Sequence, residues 1–390
     1  MSVSDPLFLN GSAIFTIFLA LFAYSLVPSS EGRRATILMF SVYFYLKFAG
    51  PTQLVLVLAL ALLTFACAKI GKKFLNLAIA INILGLIIAK YYLYEIATEQ
   101  EVQRIWIPLG VSFFVFEFVH YLMEVKRGME PESNFFLFMT FSLFFPTVVS
   151  GPIRRYDNFT PQVRVLDRIR ISNLVSGLYL ISIGFIYKFA ADQFSNFQDK
   201  MLYYRVYSGL LGGLVFLFVI SMKIFLDFAG YSYIAIGIAR IIGIRIPMNF
   251  RAPYLSTSVI DFWNRWHISL SNWVRDYLYI PLGGSRVIFY RSMLNLIICM
   301  TVIGLWHGFG TRFLVWGILQ GIGLTVNHSF RRLMKILEGE KASPKSSTKT
   351  IIKWCVTMMF VSLSWVFFFY EPSQAIEIIQ SILSGKLMPW

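Results

Sequence analysis

A chain of 390 residues that is 57% hydrophobic and only 14% charged carries more apolar side-chain surface than a water-soluble core of its size encloses. Soluble globular and disordered classes are therefore excluded, and an integral membrane protein is expected. The formal net charge of +15 would suit a nucleic-acid partner in a soluble protein, but here the placement of Lys and Arg reports orientation across the bilayer, and no nucleic-acid partner is expected.

Apolar runs of about 20 residues, long enough to cross a hydrocarbon core of roughly 30 Å, are predicted near 12–28, 52–69, 74–95, 174–191, 207–226 and 350–370. Shorter or interrupted runs fall near 36–49, 105–123, 134–151, 230–242, 292–306 and 311–330. The expected fold is all-α, a polytopic helical bundle of about eleven crossings, because helices satisfy their own backbone hydrogen bonds in lipid and these runs are too long for barrel strands. Part of the load of 38 Phe and 20 Tyr is expected in interfacial belts. Polar segments stay below domain size, so 1–390 reads as a single membrane-embedded domain.

Charge orders the loops along the chain. Asp5 precedes the first span, Arg33 and Arg34 follow it, and Lys69, Lys72 and Lys73 follow the third. Glu95, Glu99 and Glu101 mark the opposite side, and Lys126 with Arg127 return to the cytoplasmic one. Strict alternation would then put Arg154, Arg155, Arg164, Arg168 and Arg170 outside. A re-entrant element is predicted instead, at FFPTVVSGPIRRY (Phe144 to Tyr156), which Pro146, Gly151 and Pro152 interrupt; the topology across 134–171 is left open. The basic segment from Arg331 to Lys353 is expected in the cytoplasm. The plain use of all this charge is orientation and contact with anionic membrane lipids, in a multi-pass protein of the cytoplasmic (inner) membrane. No basic, cleavable leader precedes the first span, which is expected to be retained. Cys67, Cys299 and Cys355 show no paired spacing, so they read as packing residues, with neither a disulfide framework nor a metal site expected.

The stretch from Asp261 to Gly310 holds the chemistry-bearing residues. Periodicity predicts an amphipathic, non-spanning helix over 261–278, with Trp263, Trp266, Leu270, Trp273 and Tyr277 on one stripe and Asn264, His267, Ser271 and Arg275 on the next, followed by Asp276. Pro281, Gly283 and Gly284 then break the chain, and a second apolar helix ends in Trp306 and His307. That break permits the two histidines to converge; uninterrupted helix would hold them about 60 Å apart. An imidazole inside apolar sequence is costly unless it serves a partner, a cavity or a substrate path, and when neutral it can take a proton from a hydroxyl. The plainer readings are a helix-end hydrogen bond for His307 and a polar interfacial residue for His267. His120, three residues after Glu117, reads as an internal hydrogen-bond partner, and His328 as an interfacial residue at a helix end.

The segment FWNRWHISLSNWVRDYLYIPLGGSR followed by GLWHG resembles the membrane-bound O-acyltransferase family. PLGVSFFVFEFVHYLMEVKRG, FFPTVVSGPIRRYDNF and DFAGYSYIAIGIARIIGIRIPMNFRAPYL agree in order, so the family-like core runs from about 105 to 330, ahead of an apolar tail ending in WVFFFY. The resemblance implies a bundle with a central funnel or tunnel, His307 as the base that activates an acceptor hydroxyl, and His267 in a supporting role. Asn264, Trp266, Ser271, Arg275, Asp276 and Trp306 are the supporting or substrate-binding candidates. No tightly bound cofactor is implied: the donor is an acyl thioester used as substrate, either acetyl-CoA or the phosphopantetheine of a carrier protein on the cytoplasmic side. An extracytoplasmic accessory acyltransferase is implied as a further partner.

PLGGSR is similar to the enzymes that acetylate alginate and other exopolysaccharides, whereas IPMNF and FWNRWH are similar to the teichoic acid D-alanyl transfer proteins. Tyr233 stands where many polysaccharide acetyltransferases carry Asp after GYS. The expected reaction is transfer of an acetyl or D-alanyl group to a cell-envelope or secreted polymer. A lipid or protein O-acyltransferase of the same family is the nearest alternative, and a polytopic transporter the alternative of another class; the internal repeats usual in transporters are not seen in the sequence.

Overall fold

The computed structural model describes residues 11–95, 111–148, 151–338 and 347–386. Among the described residues, six helices are long and apolar enough to cross a membrane: Pro51–Ile70, Lys72–Tyr91, Ile171–Tyr203, Gly209–Ile242, Phe289–His307 and Ser347–Phe369. Gly11–Leu26 is apolar but only 16 residues long. The described residues thus supply fewer clear crossings than the eleven or so expected. Two expected runs, 207–226 and 230–242, fuse into the 34-residue helix Gly209–Ile242. The run at 134–151 contracts to the helix Phe135–Leu143, whose nine residues rise only about 14 Å, too little to cross a bilayer. The run near 105–123 appears as the helix Val111–Arg127, with residues 105–110 outside the described residues, as are Asp5, Glu99 and Glu101.

The chain divides into two compact units, one of residues 1–188 with 228–248, the other of residues 189–227 with 249–390. In the first, the segment singled out for its proline and glycine breakers is anchored by buried polar groups. Arg154 was expected among solvent- or lipid-facing loop charges, but it is 2% exposed and pairs in two places with Glu117, Nε to Oε1 at 2.9 Å and Nη2 to Oε2 at 2.7 Å. The rings of Phe141, Phe144 and Phe159 surround its guanidinium. An unpaired cation there would be severely destabilising, which is why a carboxylate meets it. His120 is the internal hydrogen-bond partner expected, but to the backbone: its Nε2 accepts the Tyr156 N–H at 2.8 Å. The Tyr156 hydroxyl donates to Glu132 at 2.6 Å, and Arg164 reaches the same carboxylate.

Also in this unit, glycines seven apart on two antiparallel helices make a close crossing. A Cβ at Gly177 would lie 2.6 Å from the carbonyl oxygen of Gly237, and one at Gly184 would lie 2.7 Å from that of Gly230. Gly230, the first residue of the expected run 230–242, is therefore where backbones approach, the role small residues play between membrane helices.

The second unit is organised around the helical hairpin of Phe289–His307 and Thr311–Glu338. Gly304, Gly317 and Gly321 let the two backbones touch: a Cβ at Gly317 would meet the Met300 carbonyl oxygen at 2.6 Å, and one at Gly321 the Ile297 Cα at 2.6 Å. This contact fixes the end of the first helix, where His307 lies. His328, expected at a helix end, is interior to Thr311–Glu338 because that helix runs ten residues past it. Cys67 and Cys299 are buried as packing residues should be, whereas Cys355 is exposed.

Candidate active site

The helix expected over 261–278 is replaced by Val259–Arg265 and Ile268–Val274, followed by the wider π turn Arg275–Tyr279. Between the short helices Trp266 is extended, with φ −103° and ψ 128°, and His267 is left-handed, with φ 44° and ψ 53°. The preceding segment causes the break. Arg251 N–H donates to the Arg265 carbonyl and Ile268 N–H to the Asn249 carbonyl, each at 3.0 Å. Asn249 Oδ1 also accepts the N–H and hydroxyl of Ser269, at 3.3 and 2.6 Å. These tertiary bonds outcompete continuous helix, and the helical offsets that grouped Asn264, His267 and Ser271 no longer apply.

Reversal at His267 buries its ring, which is 2% exposed, and the loss of water pushes the imidazole down from 6.5 to about 3, so it is neutral at physiological pH. Its centroid lies 6.3 Å from Trp306. Trp306 in turn lies 4.6 Å from His307, so one indole stands beside both imidazoles. His307, the last residue of its helix, is half-buried, with Phe313, Trp316 and Phe368 around it at 6.1, 5.5 and 5.0 Å. The two histidine elements therefore converge, as the sequence break permits.

The other candidates divide. Trp266 packs among Phe225, Phe250, Tyr254, Phe262 and Trp365 and builds the wall behind His267. Ser271 donates its hydroxyl to the Trp266 carbonyl at 3.2 Å, a local support. Asn264 and Arg275 are exposed, unlike the buried His267 whose polar face they are expected to share, and Arg275 pairs with Asp276 at 2.8 Å. The helical offsets that group Asn264 and Arg275 with His267 end at the break.

A profile of the membrane-bound O-acyltransferase family matches residues 131–371, more than half of the chain. The chain belongs to the membrane-bound O-acyltransferase family. It is 36% identical over 276 residues to a probable alginate O-acetylase of Azotobacter vinelandii, an alignment covering 68% of this chain and 52% of that protein. A peptidoglycan O-acetyltransferase of Helicobacter pylori is 32% identical over 299 residues, covering 69% and 55%. A teichoic acid D-alanyltransferase of Bacillus subtilis is 32% identical over 280 residues, covering 68% and 69%. The aligned part thus spans about half the length of the first two relatives.

The family match begins at 131, later than the expected core at about 105, and runs to 371, through the apolar tail that follows 330. Ser347–Phe369 brings Trp365 against Trp266 and stacked on Trp316, and Phe368 against His307. The tail ending in WVFFFY thus packs beside the candidate histidines, a contact that its apolar sequence does not announce. A second omission is a buried polar chain: Trp263 Nε1–H donates to Gln320 Oε1 at 3.1 Å, and Gln320 Nε2 donates to Ser364 Oγ at 2.6 Å. A lone glutamine in an apolar run is its only sequence signal. Two residues beyond Phe368, Tyr370 helps line a cavity of about 500 Å³ with Leu202, Tyr203, Arg205 and Gln374.

Proposed function

We propose that this O-acyltransferase moves an acyl group from a thioester donor to a hydroxyl of a cell-envelope or secreted polymer, with His307 as general base. The observation that carries the reading is the half-buried His307 at its helix end, ringed by Trp306, Phe313, Trp316 and Phe368. An aromatic recess keeps bulk water, the competing nucleophile, away while leaving the imidazole reachable. His307 accepts the proton of the acceptor hydroxyl as its oxygen bonds to the thioester carbonyl carbon. The tetrahedral adduct then collapses, the carbon–sulfur bond breaks, and the departing thiolate takes up the proton. His267, neutral and buried beside Trp306, shapes the floor on which the donor or acceptor is aligned.

The donor in this reading is acetyl-CoA or the phosphopantetheine arm of a carrier protein, approaching from the cytoplasmic side where the basic segments lie. An extracytoplasmic accessory acyltransferase completes delivery to the polymer. Acetyl is the first choice of acyl group, supported by two relatives named for O-acetylation; D-alanyl is the second, supported by the relative named for D-alanylation. Family membership favours transfer chemistry over the transporter alternative.

The test is mild-base release of ester-linked acids from envelope polymers of cells making the wild-type chain, His307→Ala or His307→Gln. Acetate lost from both variants, at unchanged membrane levels of protein, supports the acetyl reading, and D-alanine lost supports the other. Esters found on a lipid or protein fraction move the acceptor to that class. Full ester content in both variants refutes the base assignment.

A further inference from the structure

We propose that Asn249 is a positioning residue for His267, holding the main chain in the turn that aims the imidazole at Trp306. The inference rests on the acyl-transfer reading of this site. His267 occupies left-handed backbone at φ 44°, a region that residues with a side chain rarely enter and that persists only where the surroundings over-determine it. The local sequence favours something else: the stripe over 261–278 is that of one unbroken amphipathic helix. In that helix His267 would share the polar face of Asn264, a residue that is exposed here.

What selects the turn is a bridge on both sides of His267. Before it, the Arg265 carbonyl accepts from Arg251 N–H; after it, Ile268 N–H donates to the Asn249 carbonyl. The backbone part of this bridge is available to any residue at 249. The side-chain part is not. Asn249 is 0% exposed, and its Oδ1 takes both the N–H and the hydroxyl of Ser269, satisfying the start of the Ile268–Val274 helix where continuous helix would otherwise supply partners. An apolar residue of the same size leaves two buried donors without that acceptor, and the unbroken helix then becomes the better way to satisfy them. Asn249 acts on the site through His267.

Two readouts test this in the full-length chain. The first is the initial rate of envelope ester formation per unit of membrane-inserted protein. Asn249→Leu should lower it at least about tenfold, as misplacement of an aligning group does, while Asn249→Asp, which keeps an acceptor oxygen, should stay within about threefold. In a His267→Ala background the same Asn249→Leu change should cost less than about twofold, because residues that act through one another are not additive. The second readout is independent of any donor or acceptor: the titration of His267 in purified protein carrying 13C-histidine, its signal assigned by its loss in His267→Ala. It should stay neutral between about pH 5 and 8 in the wild type and titrate within that range in Asn249→Leu, as the ring leaves its buried position.

An Asn249→Leu chain with a wild-type rate and an unaltered His267 titration overturns the proposal. So does an equal loss in the His267→Ala background, which would mean general structural damage. Wild-type ester formation by His267→Ala would instead overturn the role given to His267, and if the titration still moved in Asn249→Leu, the placement by Asn249 would survive that failure.

Discussion

The indole of Trp306 lies 6.3 Å from the imidazole of His267, although one sits near the end of the helix Phe289–His307 and the other in the turn before Ile268–Val274. Its neighbour His307 packs against the same indole at 4.6 Å, so one indole borders both histidines and is expected to act as a partition against water. Removing it opens a hole that water can enter. Trp306→Ala should therefore lower ester formation by about tenfold or more, while Trp306→Phe, which keeps an aromatic wall, should lose only severalfold. Equal losses in the two variants, measured as released acid per unit of membrane protein, would count against the partition.

His267 also makes a pH signature. Burial holds its folded-state value near 3 against an ordinary 6.5, so between those values the unfolded chain binds a proton that the folded chain refuses. Its contribution to stability is complete above about pH 6.5 and is lost progressively as pH falls towards 3. The wild-type thermal midpoint should fall relative to that of His267→Gln between about pH 7 and 5; the comparison cancels the opposing titration of Glu117, whose carboxyl burial pushes up to about 7. Parallel curves for the two proteins would mean that the ring is not buried as described.

Close helix contacts give a contrast within one residue type. At Gly184 an added Cβ would lie 2.7 Å from a backbone oxygen, and at Gly317 2.6 Å from another, whereas at Gly85 its nearest neighbour would be the Leu60 Cδ2 at 3.9 Å. Gly184→Ala and Gly317→Ala should each cost about 1–3 kcal/mol through overpacking, and Gly85→Ala should be neutral or mildly favourable. Thermal midpoints of the detergent-purified variants measure this. Gly317→Ala should also reduce ester formation, since its hairpin sets the position of His307.

The paired histidines and their tryptophans were legible because ionisable groups in an apolar context stand out, and the family resemblance rests on the same residues. What the sequence conceals is tertiary. Periodicity over 261–278 is genuinely helical, and nothing local announces that Asn249 will bond to Ser269 and stop the helix at His267. Asn264 and Arg275 were grouped with His267 by offsets valid only on that unbroken helix. Trp365 and Phe368 escaped notice for the opposite reason: in an apolar span a wall residue and a lipid-facing residue look alike.

Arg154 shows the same limit in charge. In sequence it is one of a run of loop arginines that would orient the chain, yet the structure buries it against Glu117 beneath three phenylalanine rings. Removing the carboxylate leaves the guanidinium buried without its counter-charge, so Glu117→Ala should destabilise by about 3–5 kcal/mol and lower the amount of folded protein in the membrane. Glu117→Gln, which keeps an acceptor oxygen but loses the charge, should fall between the two. The comparison pair is Arg127 with Glu124 at 2.8 Å, where the arginine is 43% exposed; Glu124→Ala should change stability by less than about 1 kcal/mol because water and salt screen that interaction. If both alanine variants unfold at the wild-type temperature, the buried pair is not what holds the 151–156 segment in place.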